Sequence, residues 1–346
     1  MPIFNIGQSN PYKTPVLNGS YPANVTQLQQ VGGSATFEVK IATAGIPDEY
    51  TYQWYVNDSA VAGATLNKYT KTGLTDATTY AVYCKVTNRA GTVQSRTAIL
   101  TVQSAQPIYA YSGLASLIDD GNYNYRIKFL TSGTLTFTNL GCFANGIDVF
   151  CVGGGGGGGT TGGYSCPGGG GGGYTNTARG VGVSAGVAYA ITVGAGGPAG
   201  VNGGDTGALG CYAAGGQTTS GSNGAPGGSG GGGGGGNSDG KDTGIGGDGG
   251  SDGGNGYDGR ETGYRGSGGL GQGTTTREFG ESWGTVYAGG GGGTGKKAGG
   301  TGGIGGGGNG GTSRPTQGTN GTENTGGGGG GKMAGGSGIV VIRNAR

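Results

Sequence analysis

Residues 146–163 read GIDVFCVGGGGGGGTTGG, and this stretch decides how the rest of the chain is interpreted. The alternating residues Ile147, Val149 and Cys151 indicate one face of a core strand. The strand runs directly into seven consecutive glycines, Gly153–Gly159. Such a junction is typical either of a loop that holds a nucleotide phosphate or of a protein in which glycine itself is the building material.

The residues after the glycines argue against a nucleotide site. A dinucleotide-binding fingerprint needs a helix after the glycine loop and an acidic residue about 20 positions later. The following stretch, TTGGYSCPGGGGGG (160–173), is a poor helix former. No Asp or Glu occurs from 149 to 204. We therefore interpret the glycines as structural.

Glycine takes 97 of the 346 positions, and it is concentrated in repeated tracts. A polyproline-II helix has three residues per turn and no internal hydrogen bonds. Without Cβ atoms, several such helices can pack side by side and bond laterally. Apolar strands stand before and after the glycine-rich stretch. The pattern predicts a small β-core that carries a polyglycine-II helix bundle, with its rods at 153–159, 168–173, 230–236, 289–293, 305–308 and 326–331.

The first third of the chain has a different pattern. Short alternating strands with turn signals between them, over 21–103, indicate a β-sandwich. We predict an extended N-terminal arm at 1–20 and a linker at 104–122, part of which could already belong to the next domain. The glycine-rich domain follows at 123–346. The whole chain is therefore predicted to be all-β.

The sandwich resembles the immunoglobulin-like (Ig-like) domains of bacterial and phage surface proteins. Trp54 in YTYQWYVND and Cys84 in YAVYCKVTNRAGT match the buried strand-C tryptophan and the strand-F cysteine of that fold. The partner cysteine is absent, because the strand-B stretch has Phe37 and Val39. Tyr80 lies four residues before Cys84 instead of two. The resemblance therefore implies a sandwich without the inter-sheet disulfide.

The second domain resembles the glycine-rich domain of tail-fibre and adhesin proteins of tailed bacteriophages and their prophages. The segments that carry the resemblance are, in order, FLTSGTLTF, IDVFCVGGGGGGG, YAITVGAGG and GGSGIVVIR. The resemblance implies a β-core with a polyglycine-II bundle. It also implies that the loops between the glycine tracts contact the host surface.

Composition excludes several classes of function. The net charge is +2 without a basic cluster, so we expect no nucleic-acid partner. No apolar run or leader pattern indicates membrane insertion or a signal peptide. The chain has no histidine, which excludes Ser-His-Asp triads and histidine bases, and we expect no enzyme activity and no cofactor.

The five cysteines lack CxxC spacing, so we expect no zinc site. The sequence favours free or buried thiols. Disulfides among the last four cysteines are the alternative, and the sequence does not decide between the two. The aspartates between Asp248 and Asp258 leave calcium binding open as well, although solvated turns are favoured. The last four cysteines are Cys142, Cys151, Cys166 and Cys211.

Two islands of aromatic and basic residues interrupt the glycine-rich sequence, at 257–266 and 274–287. Tyr, Trp and Arg are enriched in binding hot spots, and aromatic rings stack on sugars. The alternative is that these rings close the ends of the bundle. That alternative is favoured for Phe279 and weighs equally for Trp283. The candidate receptor-binding residues are Tyr257, Arg260, Tyr264, Arg265, Arg277, Phe279, Trp283 and Tyr287.

The sequence therefore predicts a non-catalytic, virion-associated structural and adhesion protein of a tailed phage, in a fibre, tail tip or decoration component. Its arm and Ig-like domain would bind other virion proteins, and its glycine-rich domain would bind a host-surface glycan or protein. One alternative is a purely structural capsid or tail component. A bacterial surface adhesin, which would need an export signal, is another.

Overall fold

The protein is almost entirely β-structure, which confirms the predicted all-β class. The structure is a computed structural model, and it divides into two compact units, Met1–Gln106 and Pro107–Arg346. The residues it describes are 11–30, 32–160, 166–235, 244–250, 253–259, 276–312 and 317–346.

The first unit has short strands whose side chains alternate between buried and exposed, as a two-layer β-fold requires. Ala35 and Phe37 point inward from one strand while their neighbours face solvent. Its strands are β1 (Val16–Leu17), β2 (Val25–Leu28), β3 (Ser34–Glu38), β4 (Ile41–Thr43), β5 (Thr51–Val56), β6 (Ser59–Ala60), β7 (Lys68–Thr72), β8 (Thr79–Asn88), β9 (Gly91–Gln94) and β10 (Ala98–Gln103).

The larger sheet of this unit has the order β2-β10-β8-β5-β6, with β9 also paired to β8. β2 runs parallel to β10, and the other pairs are antiparallel. β3 pairs with β7, and Phe37 from this pair packs in one core with Trp54 and Cys84 from the larger sheet. Trp54 is fully buried, and its indole N–H donates to the carbonyl oxygen of Leu66 at 2.8 Å. Cys84 is a free thiol, as the missing partner predicts.

The described part of the predicted N-terminal arm is not a free extension, which corrects that prediction. Lys13 and Ile46 exchange two backbone hydrogen bonds of 3.0 and 2.8 Å. β1 then pairs antiparallel with β4. The side-chain amide of Asn88 donates to the carbonyl oxygen of Lys13 at 2.7 Å. Residues 1–10 lie outside the described residues.

The second unit begins before the predicted boundary at residue 123, so 107–122 is not a linker. Two strands form there because they pair with strands further along the chain. The strands of this unit are β11 (Ile108–Tyr111), β12 (Ala115–Gly121), β13 (Asn124–Phe129), β14 (Gly133–Asn139), β15 (Ile147–Val152), β16 (Thr175–Val181), β17 (Ala188–Thr192), β18 (Thr206–Ala208), β19 (Cys211–Ala213) and β20 (Ile339–Asn344).

These strands form two five-stranded antiparallel sheets, β11-β14-β17-β18-β19 and β12-β13-β20-β15-β16. The predicted core face of β15, Ile147, Val149 and Cys151, packs between the two sheets. The opposite face is buried too, because Phe150 and Val152 pack against a later segment of the chain. β15 and β20 are adjacent and every one of their residues is buried, so the two strands that join the sheet to the glycine tracts lie at its centre.

The first glycine tract, Gly153–Gly159, is buried along its length and bonded on all sides. Its N–H groups donate hydrogen bonds to three neighbouring segments in turn. Gly153, Gly156 and Gly159 donate to the segment 168–174, while the glycines between them donate alternately to 201–204 and 333–336. Since each neighbour recurs every third residue, the tract has the three-residue turn of polyglycine II, and it spans about 20 Å.

The carbonyl oxygens of the same tract accept hydrogen bonds from three further segments, again with a period of three residues. They accept from 216–218, 197–200 and 329–332. This rod is therefore surrounded by six neighbouring segments. A Cβ built on any of Gly153–Gly158 would overlap a backbone carbonyl group of a neighbouring rod. This close backbone approach is the physical reason that the tract contains only glycine.

The second tract, Gly168–Gly173, repeats the pattern. Its N–H groups donate in turn to 217–221, 229–232 and 326–329. At the rim of the bundle, where no further rod follows, side-chain oxygens take the place of carbonyl groups. Asn309 Oδ1 accepts from the N–H of Gly302 at 2.8 Å, and Asn255 Oδ1 accepts from that of Gly249 at 2.8 Å. The polar residues between the tracts therefore satisfy outward-facing amides.

Candidate functional site

The candidate site is built on the segment 276–288, which crosses one face of the sheet that contains β15 and β20. Phe279 and Tyr287 lie on Phe150, with ring centroids 6.0 and 5.5 Å apart from it. Both rings are buried, with 1% and 3% of their surface exposed. Burial of two aromatic rings is a large apolar contribution, and it fixes the segment to the sheet.

Backbone hydrogen bonds close this segment into a tight loop. Glu278 donates its N–H to Thr285 at 2.9 Å, and Tyr287 donates to Thr276 at 2.8 Å. The Arg277 guanidinium donates to the carbonyl oxygen of Gly284 at 3.1 Å. The turn of the loop presents Trp283, whose residue surface is 81% exposed. A large aromatic ring on a hydrogen-bonded loop is available for contact with another molecule.

A cluster of buried charges holds the loop at its base. Glu278 is buried, and its carboxylate pairs with Arg126 and with Lys128, the latter at 3.4 Å. The hydroxyl of Tyr287 donates to the same carboxylate at 3.0 Å. Burying one carboxylate among two cations and a hydroxyl satisfies it from several directions, and removing a partner would leave it uncompensated.

Arg343 joins the loop to β15. Its guanidinium bonds to Asp148 at 3.2 Å and to Glu281 at 2.7 Å, and it lies 4.1 Å from the centre of the Phe279 ring. The hydrogen bond from Arg343 lowers the pKa of Glu281. Burial raises the pKa of Asp120, but the hydrogen bonds and positive charges of Arg126 and Arg346 together bring it below its ordinary value. Both carboxylates are therefore ionised at neutral pH.

A pocket of about 270 Å³ opens between the loop and the sheet, with Trp283 at its wall. Gly284 and Thr285 continue the same wall. Guanidinium groups donate and carboxylates accept hydrogen bonds in fixed planes, so the lining matches a ligand that carries both donors and acceptors. The charged residues of the lining are Asp120, Arg126, Glu278, Glu281, Arg343 and Arg346.

The sequence-predicted site residues that the structure describes lie in different environments. Of the five that the structure describes, Trp283 and Phe279 line the pocket. The rings of Phe279 and Tyr287 are buried on Phe150, which fits the packing alternative for Phe279. Arg277 is half-buried and braces the loop.

The other four candidates lie on the first island. Tyr257 is 60% exposed on another segment, which bonds to the glycine rod at Gly233 through its backbone. Arg260, Tyr264 and Arg265 lie outside the described residues.

Sequence reasoning missed the charged lining. Arg126 and Glu278 are separated by 152 positions, and in the sequence each looks like an ordinary solvated charge. One local signal was available, since Arg343 follows the apolar run IVVI in the final strand. A charge next to such a run, at a position where the strand is buried on both faces, indicates a buried ion pair.

The described residues contain no candidate metal site and no candidate membrane helix. No three His, Cys, Asp or Glu side chains of those residues come together as metal ligands would. Asp258 instead accepts from the N–H of Gly246 at 2.8 Å. In that same part of the chain, no helix combines the length and apolarity that crossing a membrane would take.

A family model for a glycine-rich domain matches residues 131–345. The chain belongs to this glycine-rich domain family. The match begins just before β14 and ends after the last residue of β20, so it includes the rods and the loop with Trp283. A comparison with curated proteins finds no match. Family membership supports the glycine-rich domain that the sequence predicted at 123–346.

Proposed function

We propose that the chain is a non-catalytic, virion-associated structural and adhesion protein of a tailed phage, in a fibre, tail tip or decoration component. In this proposal the loop that carries Trp283 binds a glycan on the host cell surface. The observation that supports it most is the 81% exposure of Trp283 beside a pocket lined by guanidinium and carboxylate groups.

The chemistry of that surface suits a sugar. An indole ring packs against the C–H face of a pyranose, and charged planar groups bond to neighbouring hydroxyls. Three arginines stand against three carboxylates in the lining, so the pocket has little net charge. That balance favours a ligand rich in hydroxyl groups.

The two units take different roles in this proposal. The first unit is an Ig-like spacer that binds other virion proteins. What supports it is the parallel pairing of β2 with β10 and the packing of Trp54 in one core with Cys84. The second unit is the rigid support of the binding loop. Membership in the glycine-rich family supports that part.

Binding to cells tests the proposal. The full chain, fluorescently labelled, is incubated with a panel of bacterial strains and measured by flow cytometry. We expect binding to one or more strains, loss of binding after periodate oxidation of surface sugars, and at least a tenfold loss with Trp283→Ala. Ile304→Ala is the matched control, because Ile304 is also exposed, at 61%, and does not line the pocket.

Three outcomes would contradict parts of the proposal. Binding that survives periodate but not protease treatment of the cells would indicate a protein receptor. Equal binding by Trp283→Ala and Ile304→Ala would remove the loop from recognition. Antibodies against the chain should also label purified phage particles in electron microscopy, and unlabelled particles would contradict virion association.

A purely structural role is the second candidate, and the bundle favours it. A rod that bonds to six neighbouring segments makes a stiff element without any ligand. Under this alternative the labelled chain binds phage particles but no bacterial strain, and Trp283→Ala changes neither result.

A further inference from the structure

The two sheets of the second unit bring two cysteines together. Cys151 lies on β15, near the centre of one sheet, and Cys211 begins β19, the edge strand of the other. Both side chains are buried in the same core, at 0% and 2% exposure. They are separated by 60 positions in the sequence, so only the packing of the two sheets makes them neighbours.

A hydrogen bond fixes the position of the Cys211 thiol beside the strand that pairs with Cys151. Asn176 of β16 is the antiparallel partner of Cys151. The thiol of Cys211 donates to the backbone carbonyl of Asn176 at 3.5 Å. The amide side chain of Asn176 donates to the carbonyl of Tyr212 at 3.0 Å, which holds β19 against β16. β15 and β19 also pack directly against each other, with Cys151 and Cys211 in their shared core.

We propose that Cys151 and Cys211 form a disulfide across the two sheets when the folded protein meets a hydroperoxide. Nothing in the binding function requires this bond, and the proposal stands independently of it. The bond would tie the edge strand β19 to β15, the strand from which the first glycine rod starts.

The reaction proceeds in two steps. The sulfur of Cys211 attacks one oxygen of hydrogen peroxide, the O–O bond breaks, and a Cys211 sulfenic acid and one water result. The sulfur of Cys151 then attacks the sulfenic sulfur. The S–S bond forms, the S–O bond breaks, and the hydroxyl leaves with the Cys151 proton as a second water. Two thiols are oxidised and one peroxide is reduced.

The surroundings of the two thiols determine which sulfur attacks the peroxide first. The interaction between the two thiols lowers the pKa of Cys211 and, with burial, raises that of Cys151. The thiolate is the nucleophile, so Cys211 reacts first and Cys151 resolves the sulfenic acid. Hydrogen peroxide is small enough to reach a buried sulfur that larger reagents contact slowly.

Peptide mapping tests the proposal on the full wild-type chain. The purified protein is reduced, treated with hydrogen peroxide, and digested without reductant. We expect one cross-linked peptide pair that joins Cys151 to Cys211, two fewer titratable thiols in urea, and a raised melting temperature that returns to its starting value with dithiothreitol. Closing a loop of this length restricts the unfolded chain.

Two variants sharpen the result. Cys142→Ser, at a half-buried cysteine of the same unit, should still form the cross-link. Cys211→Ser should abolish the cross-link and the shift in melting temperature. Retention of all five free thiols in the oxidised wild-type protein, a cross-link to any other cysteine, or a Cys211 that ends as sulfinic acid would overturn the proposal.

Discussion

The backbone N–H of Gly156 donates to the carbonyl oxygen of Gly171 at 2.8 Å, at the middle of two antiparallel glycine rods. A Cβ on Gly156 would overlap the carbonyl oxygen of Gln217 in a third rod. Gly156 therefore hydrogen-bonds to one neighbouring rod and lies too close to another rod for a side chain to fit. The bundle depends on this combination at almost every position of its tracts.

Replacing Gly156 with valine should therefore destabilise the second unit strongly. We expect a loss of about 3 kcal/mol or more in the free energy of unfolding, because the colliding atoms are backbone and cannot rotate away. Urea unfolding measures it. Gly182→Ala is the control, since a Cβ there meets nothing within 4 Å and should change the free energy by less than about 0.5 kcal/mol. Equal stability of the two variants would contradict close packing at this rod.

The two aromatic positions of the loop should behave in opposite ways. Phe279→Ala removes a ring that is 99% buried on Phe150 and should cost about 3–5 kcal/mol of unfolding free energy. Trp283→Ala removes an exposed ring and should leave the melting temperature within about one degree of wild type. Thermal unfolding followed by circular dichroism measures both. A large loss of stability in Trp283→Ala would show that this ring is packed and unavailable for binding.

Acid should weaken the attachment of the loop. The folded-state pKa of Glu281 is lowered by Arg343, so its contribution is present above the unfolded-state pKa of about 4.3. It is lost as the pH falls through the lower folded-state value. Glu281→Gln should therefore be less stable than wild type at pH 7 and approach it below pH 3. Urea unfolding at several pH values measures this, and the exposed Glu323→Gln is the control. A difference that does not change with pH would contradict the ion pair.

The rim of the bundle should depend on the acceptor oxygens of its polar side chains. Asn309→Ala leaves the N–H of Gly302 without its partner at 2.8 Å, and we expect a loss of about 1 kcal/mol. Asn309→Asp keeps an oxygen at the same position and should retain most of the stability. Thermal unfolding of both variants measures this. Equal losses would show that the hydrogen bond contributes little.

Local pattern predicted the strands and the rods, because both depend on residues that are neighbours in the sequence. Ile147, Val149 and Cys151 alternate as a core strand does, and the glycines after them have only one use once a helix is excluded. The pairing of distant charges had no local signal. Arg126 and Glu278 meet only because the loop crosses β13 and β20, and Tyr287 looks like a surface aromatic until that crossing buries it.

The predicted domain boundaries differ from those of the structure for the same reason, because pairing between distant residues has no local signal. Lys13 pairs with Ile46 across the first unit, and Ile108–Tyr111 pairs with β14. Neither partner is near in sequence, so residues 11–20 and 107–122 carry no local signal of these pairings.

The central claim is that glycine is the building material of the second unit. Amide hydrogen exchange of the seven glycines Gly153–Gly159, measured by NMR on the labelled full chain, tests it most directly. Each of these N–H groups donates to a backbone carbonyl of a neighbouring rod, so we predict protection comparable to that of β15 at every position. Exchange of these seven amides at the rate of an unstructured glycine chain, while β15 stays protected, would contradict the claim.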